Sequence, residues 1–164
     1  MSRADAFDPI VRAHQGAVRT FLRRLVRNSA LADELAQEAF IKAFRSSEPL
    51  HRIDNPRSWL LRIAYRTFLD HYRREMRRRG LSDLSIDATQ SVPAPTGLHL
   101  DVERAMEALT PERRACALLC FAKGYSHADA ARITGLPLGT VKSHVARART
   151  ALSVALASYR EIIG

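Results

Sequence analysis

Apolar residues recur at helical spacing along nearly the whole chain, and the breaks between them divide it into short helices. Phe7, Ile10, Val11, His14, Val18, Phe21, Leu22 and Leu25 line one side of a helix expected over residues 5–27. Asn28-Ser29 supplies a stop and a new cap. Leu31, Leu35, Ala39 and Ala43 then make the stripe of a second helix over 31–45, with Phe40 and Phe44 beside it. Pro49 and Pro56 bracket a short loop, 48–55. Asn55-Pro56 predicts a helix start, because the Asn side chain caps and the fixed φ of proline suits the first helical position. The third helix, 56–79, presents Trp59, Leu60, Ile63, Ala64, Phe68 and Tyr72 on its apolar side. Trp59 reads as core because Ile63 lies one turn along the same side; the alternative is an aromatic left free to stack on a base.

From Gly80 to Gly97 the pattern lapses into Ser, Thr and Pro, with Asp83 and Asp87 as the only charges, which predicts a flexible linker between two domains. Helical spacing resumes over 98–109. Thr110-Pro111 predicts the cap of a helix running to 123, and Gly124 its stop. Ser126 and Asp129, three apart, resemble a capping box for a short helix over 127–134. Gly135 ends that helix and Pro137 opens the last one, 138–159. No strand-like alternation and no internal repeat is visible. The expected fold is all-α: two small helical domains, 1–79 and 98–164, joined by the linker 80–97.

Charge gives this architecture a partner. Lys plus Arg number 26 against 17 Asp plus Glu, and the pI is near 10.5. The excess is concentrated: residues 1–80 hold 17 basic and 9 acidic side chains, whereas 81–164 are almost balanced. A concentrated excess points to a polyanion, either nucleic acid or an anionic membrane surface, and charge serving solubility alone is the blander alternative. Arginines outnumber lysines 23 to 3. Arg forks suit phosphate, although a GC-rich genome accounts for much of such a bias. Arg73, Arg74, Arg77, Arg78 and Arg79 crowd the end of the third helix, more cations than the helix dipole needs.

Cys116 and Cys120, one turn apart, read as small core residues and not as a disulfide framework or a metal site. The N-terminus MSRADAFDP lacks the apolar segment of a secretory signal, and no run approaches a membrane span, so a cytoplasmic location is expected. No phosphate loop, metal cluster or nucleophile constellation is visible, so neither an enzyme nor a cofactor is expected.

Residues 126–152 have the form of a helix-turn-helix. Ala131 is small enough for close helix approach, Gly135 can take positive φ, and Val141 follows six residues later. On the second helix Val141, Val145, Ala148 and Leu152 form the stripe expected to be buried. Thr140, Lys142, Ser143, His144, Arg147 and Arg149 lie off it, as the base- and phosphate-contacting set of a helix in a major groove would. An amphipathic helix with a merely solvated basic face is the competing reading.

Gly124-Tyr125-Ser126, Gly135 through Ser143 and Arg147-Ala148-Arg149 resemble the fourth conserved region of sigma-70-family factors of the extracytoplasmic-function (ECF) group, and Leu109 through Arg114 resemble the start of that region. Ala32 through Phe40 resembles the family's core-polymerase-binding helix. Trp59 through Ala64, followed by Asp70 and the arginine run, resembles its promoter-melting helix. The resemblance implies an RNA polymerase sigma factor. It assigns Asp33, Glu34, Leu35, Gln37 and Glu38 to the core polymerase, at the clamp of the beta-prime subunit. It assigns His51, Arg52, Asp54, Asn55, Arg62, Arg66, Arg73 and Arg74 to opening and reading the minus-10 element. It assigns Thr140, Lys142, Ser143, His144, Arg147 and Arg149 to the minus-35 element. It further implies a contact with the flap of the beta subunit, a linker directed towards the RNA exit path, and an anti-sigma factor that holds the protein inactive, in some cases at the membrane. The chain departs from the family pattern at Ala130, His144 and Ala146, at Arg66 where Asn is common, and over 50–55, which lacks Phe-Arg-Gly. These departures bear on promoter sequence. Two competitors remain: a helix-turn-helix regulator that is no sigma factor, which would need a receiver or ligand domain in front, and a basic RNA- or membrane-binding helical protein, which would leave the Asp33–Glu38 face unexplained.

Overall fold

In a computed structural model, residues 1–80 and 97–157 are described; the expected linker, apart from its end residues Gly80 and Gly97, and the last residues of the chain lie outside them. The described residues are helical throughout and divide into two compact units. The first contains α1 (Arg3–Val26), α2 (Ser29–Arg45), a single 3-10 turn (Leu50–Arg52) and α3 (Pro56–Arg78). The second half carries α4 (Leu98–Glu107), α5 (Pro111–Ala117) with a π-helical turn (Leu118–Ala122), α6 (His127–Thr134) and α7 (Leu138–Ala155).

The expected caps form. Asn28 Oδ1 accepts from Leu31 N at 3.1 Å and starts α2. Asn55 Oδ1 accepts from Ser58 N at 3.0 Å, with Pro56 in the first turn of α3. Ser126 caps α6, Asp129 N donating to Ser126 Oγ at 3.0 Å and that hydroxyl to Asp129 Oδ2 at 2.8 Å. One cap lies outside the sequence reading. Ser2 and Asp5 form a capping box, so α1 starts at Arg3, earlier than expected, and the Ser2 hydrogen bonds hold the exposed Asp5 carboxyl below its usual pKa.

Phe7, Val18, Phe21, Leu22 and Leu25 from α1 are buried, with Ala32, Leu35, Ala36, Ala39 and Ala43 from α2 and Leu60, Leu61, Ala64, Tyr65 and Phe68 from α3. Four of the five buried residues of α2 are alanines, whereas α1 and α3 contribute the buried aromatics. At the edge of this core Phe7 meets Phe44 edge-on, ring centroids 5.5 Å apart. In the second unit Leu109, Ala117 and Ala148 form a core with Met106 and Ala151 packed against it.

Two arginines fasten these elements, Arg3 at long range and Arg114 across the turn between α4 and α5. Arg3 donates from Nε to the Phe44 carbonyl at 2.7 Å and from its Nη atoms to the carbonyls of Glu48 at 3.1 Å and Ala43 at 3.3 Å. Arg114 donates to the carbonyls of Met106, Glu107 and Leu109 at 2.9, 2.9 and 3.0 Å. Each guanidinium supplies donors to carbonyls at or just beyond a helix C-terminus, where amide partners are few and the dipole also favours a cation.

Candidate nucleic-acid interface

In the first unit α3 presents a basic row. Arg62, Arg66 and Arg73 are exposed and fall within about 40° of one another around the helix axis. Arg74 lies further round and spends its Nε on the Asp70 carbonyl at 3.3 Å. Arg78 and Arg79 both reach Glu75 Oε1, at 2.6 and 3.3 Å, and the Arg78 hydrogen bond depresses the Glu75 carboxyl pKa. Part of the arginine run is therefore paired locally, and the row itself is Arg62, Arg66 and Arg73.

The loop before α3 is built, not slack. Glu48 N donates to Ser46 Oγ at 3.2 Å, and Trp59 Nε1 donates to Glu48 Oε2 at 3.0 Å. Trp59 is half-buried, between the two readings its spacing allowed. His51, Arg52 and Asp54 are exposed beyond the clip, whereas the side-chain oxygen of Asn55 is engaged in capping. Of the expected minus-10 set, Asn55 thus offers a ligand chiefly its Nδ2 donors.

Packing and ion pairs divide the acidic face of α2. Leu35 is 2% exposed and belongs to the core, so its expected place at a partner surface is corrected: packing has turned it inward. Asp33 is half-buried and pairs with Arg19 at 3.7 Å and Arg23 at 3.5 Å. Glu38 pairs with Lys42 at 2.9 Å, and Lys42 also lies 3.9 Å from Asp70 and 3.5 Å from the Thr67 hydroxyl, whose own proton goes to the Ile63 carbonyl. Glu34 and Gln37 stand exposed, with the exposed Ile41 one turn further along the same face.

In the second half, Gly135 closes α6 with φ +74°, its N donating to the Ala131 carbonyl at 2.8 Å, so a side chain here would be strained. Val141, Val145 and Ala148 are buried as expected; Leu152 is half-buried. Lys142, Ser143, Arg147 and Arg149 are exposed and Thr140 half-exposed. Lys142 and Arg149 occupy one flank of α7, Ser143 and Arg147 the other, roughly 140° apart. Arg149 stacks on Phe121, its guanidinium carbon 5.7 Å from the ring centroid. His144 leaves this set in part: it is half-buried, with Nδ1 enclosed and without a hydrogen bond. Burial lowers its pKa, the Glu112 carboxylate opposes that, and Arg113 and Arg147 add to it. Cys116 is buried and its thiol is pushed up to about 12, chiefly by desolvation; Cys120 is raised for the same reason. Both therefore stay protonated; Cys116 lies in the core and Cys120 is half-buried.

What the sequence reading missed depends on contacts outside the regular turn-to-turn spacing of a helix: the Arg3 and Arg114 clamps, the Glu48–Trp59 clip and the Phe121–Arg149 stack. Only an arginine near a helix end offered any local signal for them.

Comparison with known proteins adds a common identity for both units. Residues 10–78 match the family described as Sigma-70 region 2, and residues 99–152 match Sigma-70, region 4. The chain is 33% identical to the ECF RNA polymerase sigma factor EcfG of Rhodopseudomonas palustris, over 95% of this chain and 88% of that protein. It is 35% identical to the ECF RNA polymerase sigma factor SigM of Mycobacterium tuberculosis, over 90% of this chain and 76% of that one. Against the ECF RNA polymerase sigma factor SigE of Mycolicibacterium smegmatis the identity is 34% over 94% of this chain, which spans 63% of that longer relative. Among solved structures, the sigma factor RpoE from Bartonella quintana, in complex with the anti-sigma factor NepR, superposes with a TM-score of 0.73 at 31% identity, covering 92% of this chain and 96% of that one.

Proposed function

The chain belongs to the sigma-70 family, in its extracytoplasmic-function group of RNA polymerase sigma factors, and from that premise we propose how its two units divide promoter recognition. It is an initiation factor and not an enzyme. Residues 1–79 engage the core polymerase and open the minus-10 element, 80–97 connect, and 98–164 read the minus-35 element as duplex.

The contact with the beta-prime clamp runs through Glu34 and Gln37, the exposed members of the α2 face. Asp33 and Glu38 act there only at the expense of their internal ion pairs. The Arg62, Arg66 and Arg73 row tracks the backbone of the melted strand, and His51, Arg52 and Asp54 border the place of an extruded base. The flap of the beta subunit is the expected second polymerase contact. An anti-sigma factor is the expected regulator, as NepR is for RpoE of Bartonella quintana. The protein acts in the cytoplasm, and at the membrane where such a regulator is anchored there. Among the described residues no helix is long and apolar enough to cross a membrane.

The single observation that supports this division most is α7, buried through Val141, Val145 and Ala148 while Ser143 and Arg147 face away from that stripe and Lys142 and Arg149 flank it, all four exposed. That is the arrangement a groove-reading helix needs: packing fixes its register, and donors point at base edges and phosphates. The test is run-off transcription with bacterial core polymerase on genomic templates, with core alone as control. Promoter-restricted initiation that disappears when residues 98–164 are deleted supports the assignment. Initiation at the same promoters without them would overturn it.

A further inference from the structure

We propose that Phe121 is a positioning residue for duplex binding: its ring pre-orders the Arg149 guanidinium for a backbone phosphate. The proposal rests on the reading of α7 as the duplex-facing helix. Phe121 is 43% exposed, an unusual place for a large aromatic. The backbone explains how it comes to be there. A regular α-helix continued from α5 would set Phe121 above Ala117 and Leu118, which are both buried. Instead the π-helical turn Leu118–Ala122 intervenes, with Lys123 N donating to the Leu118 carbonyl at 3.2 Å and Gly124 at φ +70° ending the element. The wider turn swings the ring away from the core and under Arg149.

An exposed arginine loses much side-chain freedom when it binds a phosphate. A ring face that already holds the guanidinium by its quadrupole removes part of that loss while leaving the N–H edges free to donate. Lys142 shares this flank of α7 with Arg149, seven residues away, but has no ring beneath it among the described residues. The stack therefore distinguishes one of two otherwise similar cations.

The experiment uses the full chain assembled with core polymerase, and a duplex selected by that holoenzyme from a random pool, titrated at several salt concentrations. Phe121→Leu keeps apolar bulk and removes the π face; Phe121→Trp restores a ring. Arg149→Ala is expected to weaken binding to all duplexes and reduce the salt slope by about one. Phe121→Leu is expected to weaken binding roughly two- to fivefold, the ratio an exposed cation–π contact implies, with Phe121→Trp near wild type. In the Arg149→Ala background Phe121→Leu is expected to have no further effect. Phe121→Leu without effect, or full additivity in this cycle while Arg149→Ala alone is impaired, overturns the positioning role and leaves the reading of α7 intact. Arg149→Ala without effect on affinity or slope overturns both.

Discussion

Arg3→Ala should loosen the minus-10 loop through a contact more than forty residues away in sequence. The Arg3 guanidinium ties the start of α1 to the last turn of α2 and to Glu48, and Glu48 in turn holds Trp59. Two of the three carbonyls it serves are exposed, so water replaces much of what the mutation removes. Charge-assisted hydrogen bonds contribute about 1.5–3 kcal/mol where solvent is excluded, and a cation at a helix C-terminus about 0.3–1 kcal/mol. Discounting the first for exposure, the expected loss is about 1–2 kcal/mol in the first unit. The chain has one tryptophan, Trp59, and it lies in that unit, so denaturant unfolding of the full chain followed by its fluorescence isolates the relevant transition. The midpoint should fall and the native emission shift to the red as the Glu48–Trp59 clip loosens. Arg3→Lys should recover only part of the loss, because an ammonium cannot span three carbonyls as a planar fork does. Unfolding of Arg3→Ala within about 0.3 kcal/mol of wild type, with unchanged emission, would refute the clamp; that is within the range of an indifferent surface change.

Glu34→Arg should weaken core-polymerase binding with helicity and stability unchanged, whereas Asp33→Arg should also destabilise the first unit, since Asp33 faces Arg19 and Arg23; a binding titration paired with an unfolding curve separates them, and equal core affinity for Glu34→Arg would remove the assignment. Arg147→Ala should lower specific duplex affinity by about 1–3 kcal/mol and relax preference at one or two minus-35 base pairs, measured on point-variant duplexes; an unchanged ranking of duplexes would make Arg147 a backbone anchor only. His144 titrates below its usual range because burial disfavours the imidazolium, so the unfolded chain takes up the proton first as pH falls. The second unit should therefore be at full stability above the unfolded histidine pKa of about 6.5 and lose stability as pH falls from there towards the lowered folded value. Hydrogen exchange of α7 amides across that window should show the loss, and His144→Gln should flatten it; a wild-type profile retained by the variant would place the titrating group elsewhere.

Helix existence and capping were legible in the sequence because both are local. A 3.6-residue apolar period, Asn28 and Asn55 before their helices, Pro at a first helical position and Gly135 at positive φ all act within a few residues. The family was legible for the same reason, its motifs being short runs on single helices. The resemblance named Arg62, Arg66, Arg73 and Arg74 together, and only the local hydrogen bond of Arg74 to the Asp70 carbonyl separates it from the other three. Other outcomes needed the assembled tertiary structure. Which acidic groups of α2 remain for a partner depends on where Arg19, Arg23 and Lys42 lie in space. Leu35 carried two readings, the apolar stripe by its period and the polymerase face by resemblance, and packing gives it to the core. His144 lies off the buried stripe by period, yet packing encloses its Nδ1 and lowers its pKa. The clamps of Arg3 and Arg114, and the ring that the π turn places beneath Arg149, join residues through carbonyls and faces that carry no sequence signature. A side chain's local preference fixes its helix, but its partner is fixed only when distant backbone is brought within hydrogen-bond or stacking distance.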